Sequence, residues 1–169
     1  MLDAFDQKIA ALEHPETANL ASVNVLLKSA DDFHLQGACA ALASRRGEKD
    51  HNAAHRFDLI VSHLTLHHIE DMGELFRTMF GCLKHGGRIA LTDYEDFGPE
   101  AVPFHPIAKR PGVERHGIKK SEAEEIIDGV GFNEVNVEVA YVLRKEVEAE
   151  DGKPAREMDF PFLICCGQR

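Results

Sequence analysis

Two kinds of hydrophobic spacing follow one another between residues 56 and 95. Residues 57–61 form a short apolar run broken only by Asp58, which predicts a strand covered on both faces of a parallel sheet. In residues 71–84 the apolar side chains recur at intervals of three and four, which predicts a helix with one buried stripe. A second apolar run at residues 88–92 predicts a second strand. Strand, helix and strand in this order predict a βαβ unit with parallel strands.

The polar residues around this unit predict its boundaries. Asp71 is placed to begin the helix, because a negative charge is favourable at a helix N-terminus. Gly86 and Gly87 are placed to end it, because glycine adopts the left-handed backbone conformation at no steric cost. Ligands of parallel sheets bind at the carboxyl ends of the strands. We therefore expect residues 62–68 and 93–95 to share one edge of the sheet.

The segments before this unit predict two helices and a strand. Residues 1–13 place their apolar side chains on one helical face and predict the first helix. Residues 23–28 (VNVLLK) are apolar and β-branched and predict a strand, and residues 35–46 predict a short alanine-rich helix. Asp31 or Asp32 is the expected cap of that helix, unless Asp31 instead faces a ligand.

The segments after this unit predict a helix and a hairpin. Ser121 is a suitable cap for a helix over residues 122–128. Hydrophobic and polar residues alternate in 135–139, and residues 160–166 are again apolar, so both segments are predicted to be strands. The charged, turn-rich run 146–156 between them is the predicted hairpin tip.

Composition restricts the class of protein and of partner. The chain has 169 residues, of which 44% are hydrophobic, enough for a single domain over residues 1–169 with a substantial core. Twenty-nine acidic residues against 19 basic ones give a formal charge of −10, which disfavours nucleic acid and anionic membranes as partners. No apolar segment approaches the roughly 20 residues that span a bilayer, and no signal-peptide run is present. We therefore expect a cytoplasmic or nuclear protein with a small or protein-borne substrate.

The histidines and cysteines do not predict a metal site. The four cysteines lack paired ligand spacing, so we predict reduced thiols. His63 and His67 are four residues apart, but the zinc-protease pattern requires a glutamate directly after its first histidine, and Leu64 stands there. No acid or cysteine with ligand spacing completes a set with these histidines or with His68. The sequence therefore predicts no metal.

Residues 96–117, which we call the 96–117 loop, contain four prolines and three glycines, too many for a long helix. An irregular segment of this length usually has a function. The loop follows the second strand, so we expect Asp93, Tyr94, His105 and His116 to face a ligand at that edge and the loop to cover the substrate. A histidine there could act as a general base, because its unperturbed pKa lies near neutrality.

The chain resembles a known family in two long stretches. The first stretch resembles the fourth strand, its helix and the fifth strand of class I S-adenosylmethionine-dependent methyltransferases, and reads FDLIVSHLTLHHIED, a helix and LKHGGRIALTD. The second stretch is similar to the last helix, the Gly-Phe turn and the sixth strand of that family, and reads HGIKKSEAEEIIDGVGFNEVNVEVAYVLRK. The resemblance implies a Rossmann-like α/β sheet with an antiparallel strand pair at its C-terminal end, and S-adenosylmethionine as cofactor.

The resemblance also implies roles for individual residues. Met1 matches the methionine that follows the second strand in many relatives, and an acidic residue near Asp31 often bonds the adenine amino group. His68 is an alternative to His67 at the cofactor, or else a packed structural residue. The residues implied to bind cofactor are Met1, Ala30, Asp31, Ser62, His63 and His67. Those implied to bind the methyl acceptor are Asp93, Tyr94, His105 and His116, the two histidines being candidate catalytic bases.

Two features of the family are missing from this sequence. It lacks the glycine-rich turn after the first strand and the acid that ends the second, so we expect the first two strands and the first helix to be absent. Gly129 and Gly131 lie between a helix and a strand and are expected to cap that helix. Without the first strand, residues 57–62 form an apolar sheet edge that is expected to be covered. The strand predicted at 23–28, a second copy of the chain or the missing strands of a longer protein could cover it, so we expect a homodimer or another partner for this chain by itself.

Two functional classes remain open. The chain is either part of a methyltransferase for a small-molecule acceptor, with its chemistry intact only in a longer protein, or an inactive methyltransferase-like subunit that acts in binding or heterodimerisation. The retained polar residues of the predicted pocket favour the first class. The missing glycine turn favours inactivity of this polypeptide by itself.

Overall fold

The computed structural model describes residues 2–12, 19–48 and 54–169. These residues divide into two compact units, the first ending at Arg56 and the second covering Phe57–Arg169. The first unit contains helix α1 (Leu2–Ala10) and helix α2 (Phe33–Arg45), which confirms both helices predicted there.

Asp32 is the residue that begins α2. Its carboxylate accepts hydrogen bonds from the backbone N–H groups of His34 and Leu35, at 2.9 and 3.0 Å. Asp31 does not cap the helix; its Oδ1 lies 2.7 Å from the Arg56 guanidinium. Of the two aspartates considered as caps, Asp32 is therefore the one that performs this role.

The predicted strand at residues 23–28 is wrong. This segment is irregular, and the Leu26 side chain is 81% exposed. A strand needs a neighbour that pairs with its backbone N–H and C=O groups. Within the described part of the first unit, no segment pairs with residues 23–28 in this way.

The second unit is a mixed sheet with two helices. Its described residues form four strands in the order β1-β2-β4-β3, where β1 and β2 are parallel and the other pairs are antiparallel. Helix α3 connects β1 to β2, and helix α4 precedes β3. The βαβ unit and the C-terminal antiparallel pair are therefore confirmed. The elements are β1 (Phe57–His63), α3 (Met72–Cys82), β2 (Leu83–Tyr94), α4 (Lys120–Val130), β3 (Asn133–Val147) and β4 (Arg156–Gln168).

Helix α3 begins as predicted and ends early. The Asp71 carboxylate accepts the Glu74 N–H at 2.8 Å, which confirms Asp71 as the N-terminal cap. The helix stops at Cys82 rather than residue 84, because Leu83 already pairs with Phe57 in the sheet. The glycines predicted to end the helix therefore lie within the assigned range of β2.

Helix α4 differs from the prediction at its start. It begins at Lys120, and the residue before it, Lys119, makes no side-chain capping bond, so the prediction of Ser121 as the cap is wrong. The helix starts earlier because the chain enters it directly from Ile118, whose N–H and C=O pair with residues 94 and 96. At the other end Gly131 has φ +104°, which confirms this residue as a predicted glycine cap, whereas Gly129 lies within the helix.

Two apolar clusters stabilise the second unit. The helix-side cluster packs α3 and α4 against one face of the sheet, and the loop-side cluster packs the 96–117 loop against β2, β3 and β4. The helix-side cluster consists of Leu66, Met72, Phe76, Leu83, Ile89, Leu91, Ile118, Ala123, Ile127, Phe132, Val137, Leu163 and Cys165. The loop-side cluster consists of Tyr94, Ala101, Phe104, Val147, Phe160 and Phe162.

Strand β1 lies at one edge of the sheet that the described residues form. Leu59 and Val61 on this strand are 56% and 67% exposed. The apolar sheet edge predicted at residues 57–62 is thus observed within the second unit, while its covering by a partner stays a prediction. None of the helices among the described residues has the length and apolar character that a bilayer crossing demands.

Candidate active site

The carboxyl ends of β1 and β2 lie side by side. His63 pairs with Thr92 across the two parallel strands, and the Leu64 N–H donates to the Thr92 carbonyl at 2.9 Å. Ser62 is half-buried, whereas His63 is exposed with its Nδ1 2.7 Å from the Thr92 hydroxyl. Residues that follow the two strands therefore share one edge, as the sequence predicts.

His67 and Asp93 form a buried pair at this edge. The His67 side chain is 1% exposed and Asp93 is fully buried. The Asp93 carboxylate accepts hydrogen bonds from the His67 ring at 2.8 Å, the His67 backbone N–H at 3.1 Å and the Tyr94 backbone N–H at 2.8 Å. Three donors satisfy the buried carboxylate, and the carboxylate fixes the proton of the imidazole on Nδ1.

His68 and His105 lie next to His67. Their ring centroids are 4.0 and 5.0 Å from the His67 centroid, and each of the three imidazoles offers one nitrogen within 4.8 Å of the others. We call these residues the three-histidine cluster. His67 and His68 belong to a short 3-10 turn after β1, and His105 comes from the 96–117 loop.

Burial perturbs the ionisable groups beside the cluster. It lowers the pKa of His105 to about 4, an effect that repulsion from His67 and Lys145 reinforces. Burial also raises the pKa of the Tyr94 hydroxyl, and the negative charges of Asp93 and Asp96 raise it further. Near neutral pH, His105 is therefore an uncharged imidazole and Tyr94 an uncharged phenol.

The 96–117 loop is closed at its base. A bridge joins Glu95 to Ile118, and the Asp96 N–H donates to the Ile118 carbonyl at 2.9 Å. Gly117 has φ +99°, and a Cβ atom there would lie 2.7 Å from the Asp96 nitrogen, so only glycine fits. Within the loop the structure has two short 3-10 helices, Pro99–Phe104 and Ile107–Gly112, which agrees with the expectation that no long helix forms.

The far side of the loop bonds to the turn that carries the histidines. The backbone N–H groups of Glu114 and Arg115 both donate to the His67 carbonyl at 3.1 Å. The His68 Nδ1–H donates to the Gly112 carbonyl at 3.0 Å. The Arg115 guanidinium donates to the Glu70 carbonyl at 2.9 Å. These bonds hold the loop and the histidine turn in one arrangement.

A surface depression of about 640 Å³ opens beside the three-histidine cluster. Lys145 reaches it from β3, where its Nζ donates to the Phe104 carbonyl and lies 4.4 Å from the centre of the Phe104 ring. We call this feature the histidine-lysine depression, since two histidines and two lysines contribute its polar groups. Its lining residues are His68, His105, Pro106, Ala108, Lys109, Gly112 and Lys145.

The remaining predicted site residues have separate surroundings. His116 is half-buried, and its Nδ1 has no hydrogen-bond partner among the described residues. Ala30 and Asp31 belong to the first unit, where the Ala30 carbonyl accepts a hydrogen bond from Gln36 at 2.6 Å. Met1 lies outside the described residues.

Sequence reasoning missed two features of this edge. It sought metal ligands within residues 63–68 and did not join His105 to His67 and His68. It also gave no role to Lys109 or Lys145. Nothing in the local sequence indicates these groupings, because the closed loop and the β3–β4 hairpin bring the residues together.

Comparison with known proteins points to methyltransferases. Residues 22–91 match the family described as "Methyltransferase domain". The phosphoethanolamine N-methyltransferase 1 of Triticum aestivum is 33% identical over 115 residues, which cover 64% of this chain and 23% of that protein. The phosphoethanolamine N-methyltransferase 1 of Arabidopsis thaliana is 30% identical over 104 residues, covering 58% of this chain and 21% of the relative. The chain thus spans less than a quarter of the length of these curated relatives.

A solved structure shares the fold. The YcgJ protein of Bacillus subtilis matches with a TM-score of 0.51 at 12% sequence identity. The match covers 82% of this chain and 79% of that protein. The likeness extends the fold assignment beyond the residues that the family match covers.

Proposed function

Since the chain carries a methyltransferase domain of the class I, S-adenosylmethionine-dependent family, we propose that it takes part in methyl transfer from S-adenosylmethionine to a small phosphorylated amine. The acceptor class is that of phosphoethanolamine. The observation that carries the proposal is the histidine-lysine depression at the carboxyl edge of the sheet, which combines two lysine side chains with the uncharged imidazole of His105.

The two lysines suit the phosphate end of such an acceptor. Lys109 is exposed, and Lys145 uses one of its three N–H donors on the Phe104 carbonyl. An ammonium group binds phosphate as a compact positive charge, and hydrogen bonds to charged groups are the stronger ones. The relatives from Triticum aestivum and Arabidopsis thaliana, which are named for phosphoethanolamine, support this choice of acceptor.

The cofactor end of the site is proposed from position. The hydroxyl of Ser62 and the imidazole of His63 stand at the edge where ligands of parallel sheets bind. They fit the polar parts of a nucleoside-bearing cofactor. Buried His67 fits a positioning role better than a direct contact, because its ring is held by Asp93. The assignment of Met1, Ala30 and Asp31 to the cofactor stays a prediction from the family resemblance.

S-adenosylmethionine supplies a methyl group that its positive sulfur has already activated. The residues of the chain then have to orient the acceptor, exclude water and receive the amine in its unprotonated form. His105 faces the depression, but with its pKa at about 4 it is a weak proton acceptor, so we assign it to positioning. Asp93 and Tyr94 are buried and act through the residues they hold. His116 remains the candidate base.

Two measurements on the full chain test this function. Isothermal titration should detect binding of S-adenosylhomocysteine and, separately, of phosphoethanolamine. Incubation with methyl-labelled S-adenosylmethionine should then label phosphoethanolamine and leave ethanolamine, which lacks the phosphate, unlabelled. A cooperatively folded chain that binds neither ligand would contradict the proposal, as would equal labelling of both amines.

Lysine variants refine the test. Lys109→Met and Lys145→Met should each weaken phosphoethanolamine binding on the order of tenfold, because each removes a charged hydrogen-bond donor to phosphate. S-adenosylhomocysteine binding should not change. Lys120→Met is the matched control, since Lys120 is exposed at the start of α4 and does not line the depression. Unchanged phosphoethanolamine affinity in both depression variants would remove the lysines from the site.

A further inference from the structure

The three-histidine cluster has the donor set of a transition-metal site. His67, His68 and His105 each present one ring nitrogen, and the three nitrogens lie within 4.8 Å of one another. A tetrahedral Zn²⁺ holds histidine nitrogens at about 2.1 Å, which separates them by about 3.4 Å. Ring rotations that bring the nitrogens closer by at most about 1.4 Å would therefore complete the geometry.

Each of the three rings has a hydrogen-bond partner at Nδ1. His67 donates to the buried Asp93 carboxylate, and His68 donates to the Gly112 carbonyl. His105 Nδ1 lies 3.3 Å from the Tyr94 hydroxyl, whose oxygen can accept a hydrogen bond from the Nδ1–H group. Metal-binding histidines usually donate their other N–H to a carboxylate or a carbonyl, which fixes the tautomer and directs Nε2 at the ion. The arrangement here follows that pattern.

A second observation points to a ligand at this position. His67 is 1% exposed, and no described residue provides a hydrogen-bond partner for its Nε2. A buried polar nitrogen without a hydrogen-bond partner destabilises the folded protein, because its lost hydrogen bonds to water are not replaced. Because Asp93 accepts the hydrogen bond from Nδ1 of His67, Nε2 is the nitrogen of this ring that is available to bind an ion in the three-histidine cluster.

We propose that His67, His68 and His105 bind one divalent transition-metal ion, Zn²⁺ by its donor preference. Three neutral imidazoles are the ligand set of zinc sites that keep a fourth position open. His68 and His105 also line the histidine-lysine depression, so the open position is on that side, where water or an anion would complete the coordination. The site does not depend on the proposed methyl transfer and can be measured with the metal alone.

Cobalt titration of the chain, purified without a histidine tag, tests the proposal. Co²⁺ binds zinc ligands and gives visible absorption whose intensity reports four-coordination. We expect one equivalent of Co²⁺ to produce this absorption and one equivalent of Zn²⁺ to abolish it. No absorption with excess Co²⁺, or binding with no defined stoichiometry, would overturn the proposal.

Variants locate the metal. His68→Ala and His105→Ala should each weaken Co²⁺ binding by at least tenfold, and Asp93→Asn by about 10- to 100-fold through the loss of the partner of His67. His85→Ala is the matched control, because His85 is exposed on β2 outside the cluster. His68 is itself exposed, so its variant is expected to fold, and circular dichroism checks this for each protein. Equal affinity in His68→Ala, His105→Ala and His85→Ala would place the ion elsewhere and contradict the site.

The metal result and the methyl-transfer result are separable. A chain that binds Zn²⁺ at the cluster and neither S-adenosylhomocysteine nor phosphoethanolamine would retain the metal site and lose the proposed function. A chain that binds both ligands but no Co²⁺ would do the reverse. Each proposal can therefore fail without affecting the other.

Discussion

The two apolar clusters of the second unit differ in what they border. Most side chains of the helix-side cluster are aliphatic; the others are Met72, Phe76, Phe132 and Cys165, and none of them is charged near neutral pH. In the loop-side cluster four of the six members are aromatic. The Phe104 ring stacks on the Tyr94 ring with a centroid distance of 4.0 Å, and the Lys145 ammonium group lies over the Phe104 ring. His67 and His105 also contact the Tyr94 ring, at 5.1 and 5.7 Å. One cluster stabilises the fold, and the other supports the candidate site.

This difference suggests why the site is beside the loop-side cluster. Aromatic rings are rigid, provide large contact areas and tolerate cations and imidazoles at their faces and edges. They can therefore exclude water from one side of a polar group while leaving another side accessible. Aliphatic side chains in the helix-side cluster offer no such partner to a polar group. Substitutions in the two clusters should accordingly affect different measurements.

The largest expected effect is on the fold. Phe76→Ala truncates a fully buried ring of the helix-side cluster and should lower the free energy of unfolding by about 3–5 kcal/mol. Urea denaturation followed by circular dichroism measures this. The control is Phe33→Ala, because Phe33 is 83% exposed, and it should change the free energy by less than about 0.5 kcal/mol. Similar losses in the two variants would mean that the helix-side cluster does not carry the stability.

A smaller loss of unfolding free energy is expected for a substitution between the two clusters. Asp93→Asn removes the charged partner of buried His67 and should lower the free energy of unfolding by about 3 kcal/mol. Asp159→Asn removes a carboxylate from an exposed pair with Arg144 and should leave stability nearly unchanged. The same denaturation experiment compares them. An unchanged free energy of unfolding in Asp93→Asn would show that the three N–H donors around this side chain are satisfied without its negative charge.

A substitution within the loop-side cluster should act more on the site than on stability. Phe104→Leu should cost about 1 kcal/mol of unfolding free energy, because much of the volume is retained. The ring contacts of Phe104 with Tyr94 and His105 are lost, so the NMR signals of the His105 ring should move, while those of exposed His85 should not. Unchanged His105 signals would show that the cluster does not position this histidine.

The smallest effect concerns thiol reactivity. Burial in the helix-side cluster raises the pKa of Cys165 to about 12. Burial also raises the pKa of Cys166, but this side chain is only half-buried and therefore accessible to reagents. At pH 8.5 a thiol with the pKa of Cys165 has on the order of a thousand-fold less thiolate than an ordinary one. Iodoacetamide should therefore label Cys166 well before Cys165 in the folded protein, as tandem mass spectrometry of the C-terminal peptide can show. Equal labelling rates would indicate that the helix-side cluster opens readily.

The sequence predicted those parts of the fold that depend on local periodicity. Strands β1 and β2 and the β3–β4 hairpin include their predicted segments, and helix α3 lies within its own, because each carries its own hydrophobic spacing. Two strands are longer than predicted: β2 begins five residues earlier and β3 ends eight residues later. The predicted strand at 23–28 failed because a strand also depends on a partner that no local pattern reveals. Ser121 failed as a cap because the bonds of Ile118 decide where α4 begins.

The candidate site could be predicted only in outline. The order of β1, α3 and β2 predicts that His63 and Asp93 share an edge of the sheet, and they do. The contact of His105 with His67 depends on the path of the 96–117 loop, and the position of Lys145 depends on the register of the hairpin. Both are tertiary features with no periodic signature in the sequence. The contacts among these side chains are therefore visible only in the structure.

The closed base of the 96–117 loop has a consequence for how such a chain can diversify. Its ends are fastened by the Glu95–Ile118 bridge and by Gly117, whose position admits no side chain. Lengthening a loop between fixed ends adds little entropic cost. Insertions or replacements between residues 97 and 116 could therefore change the shape and charge of the depression while the sheet stays the same. The segment can therefore evolve separately from the strands, provided that the positions of buried Ala101 and Phe104 stay apolar.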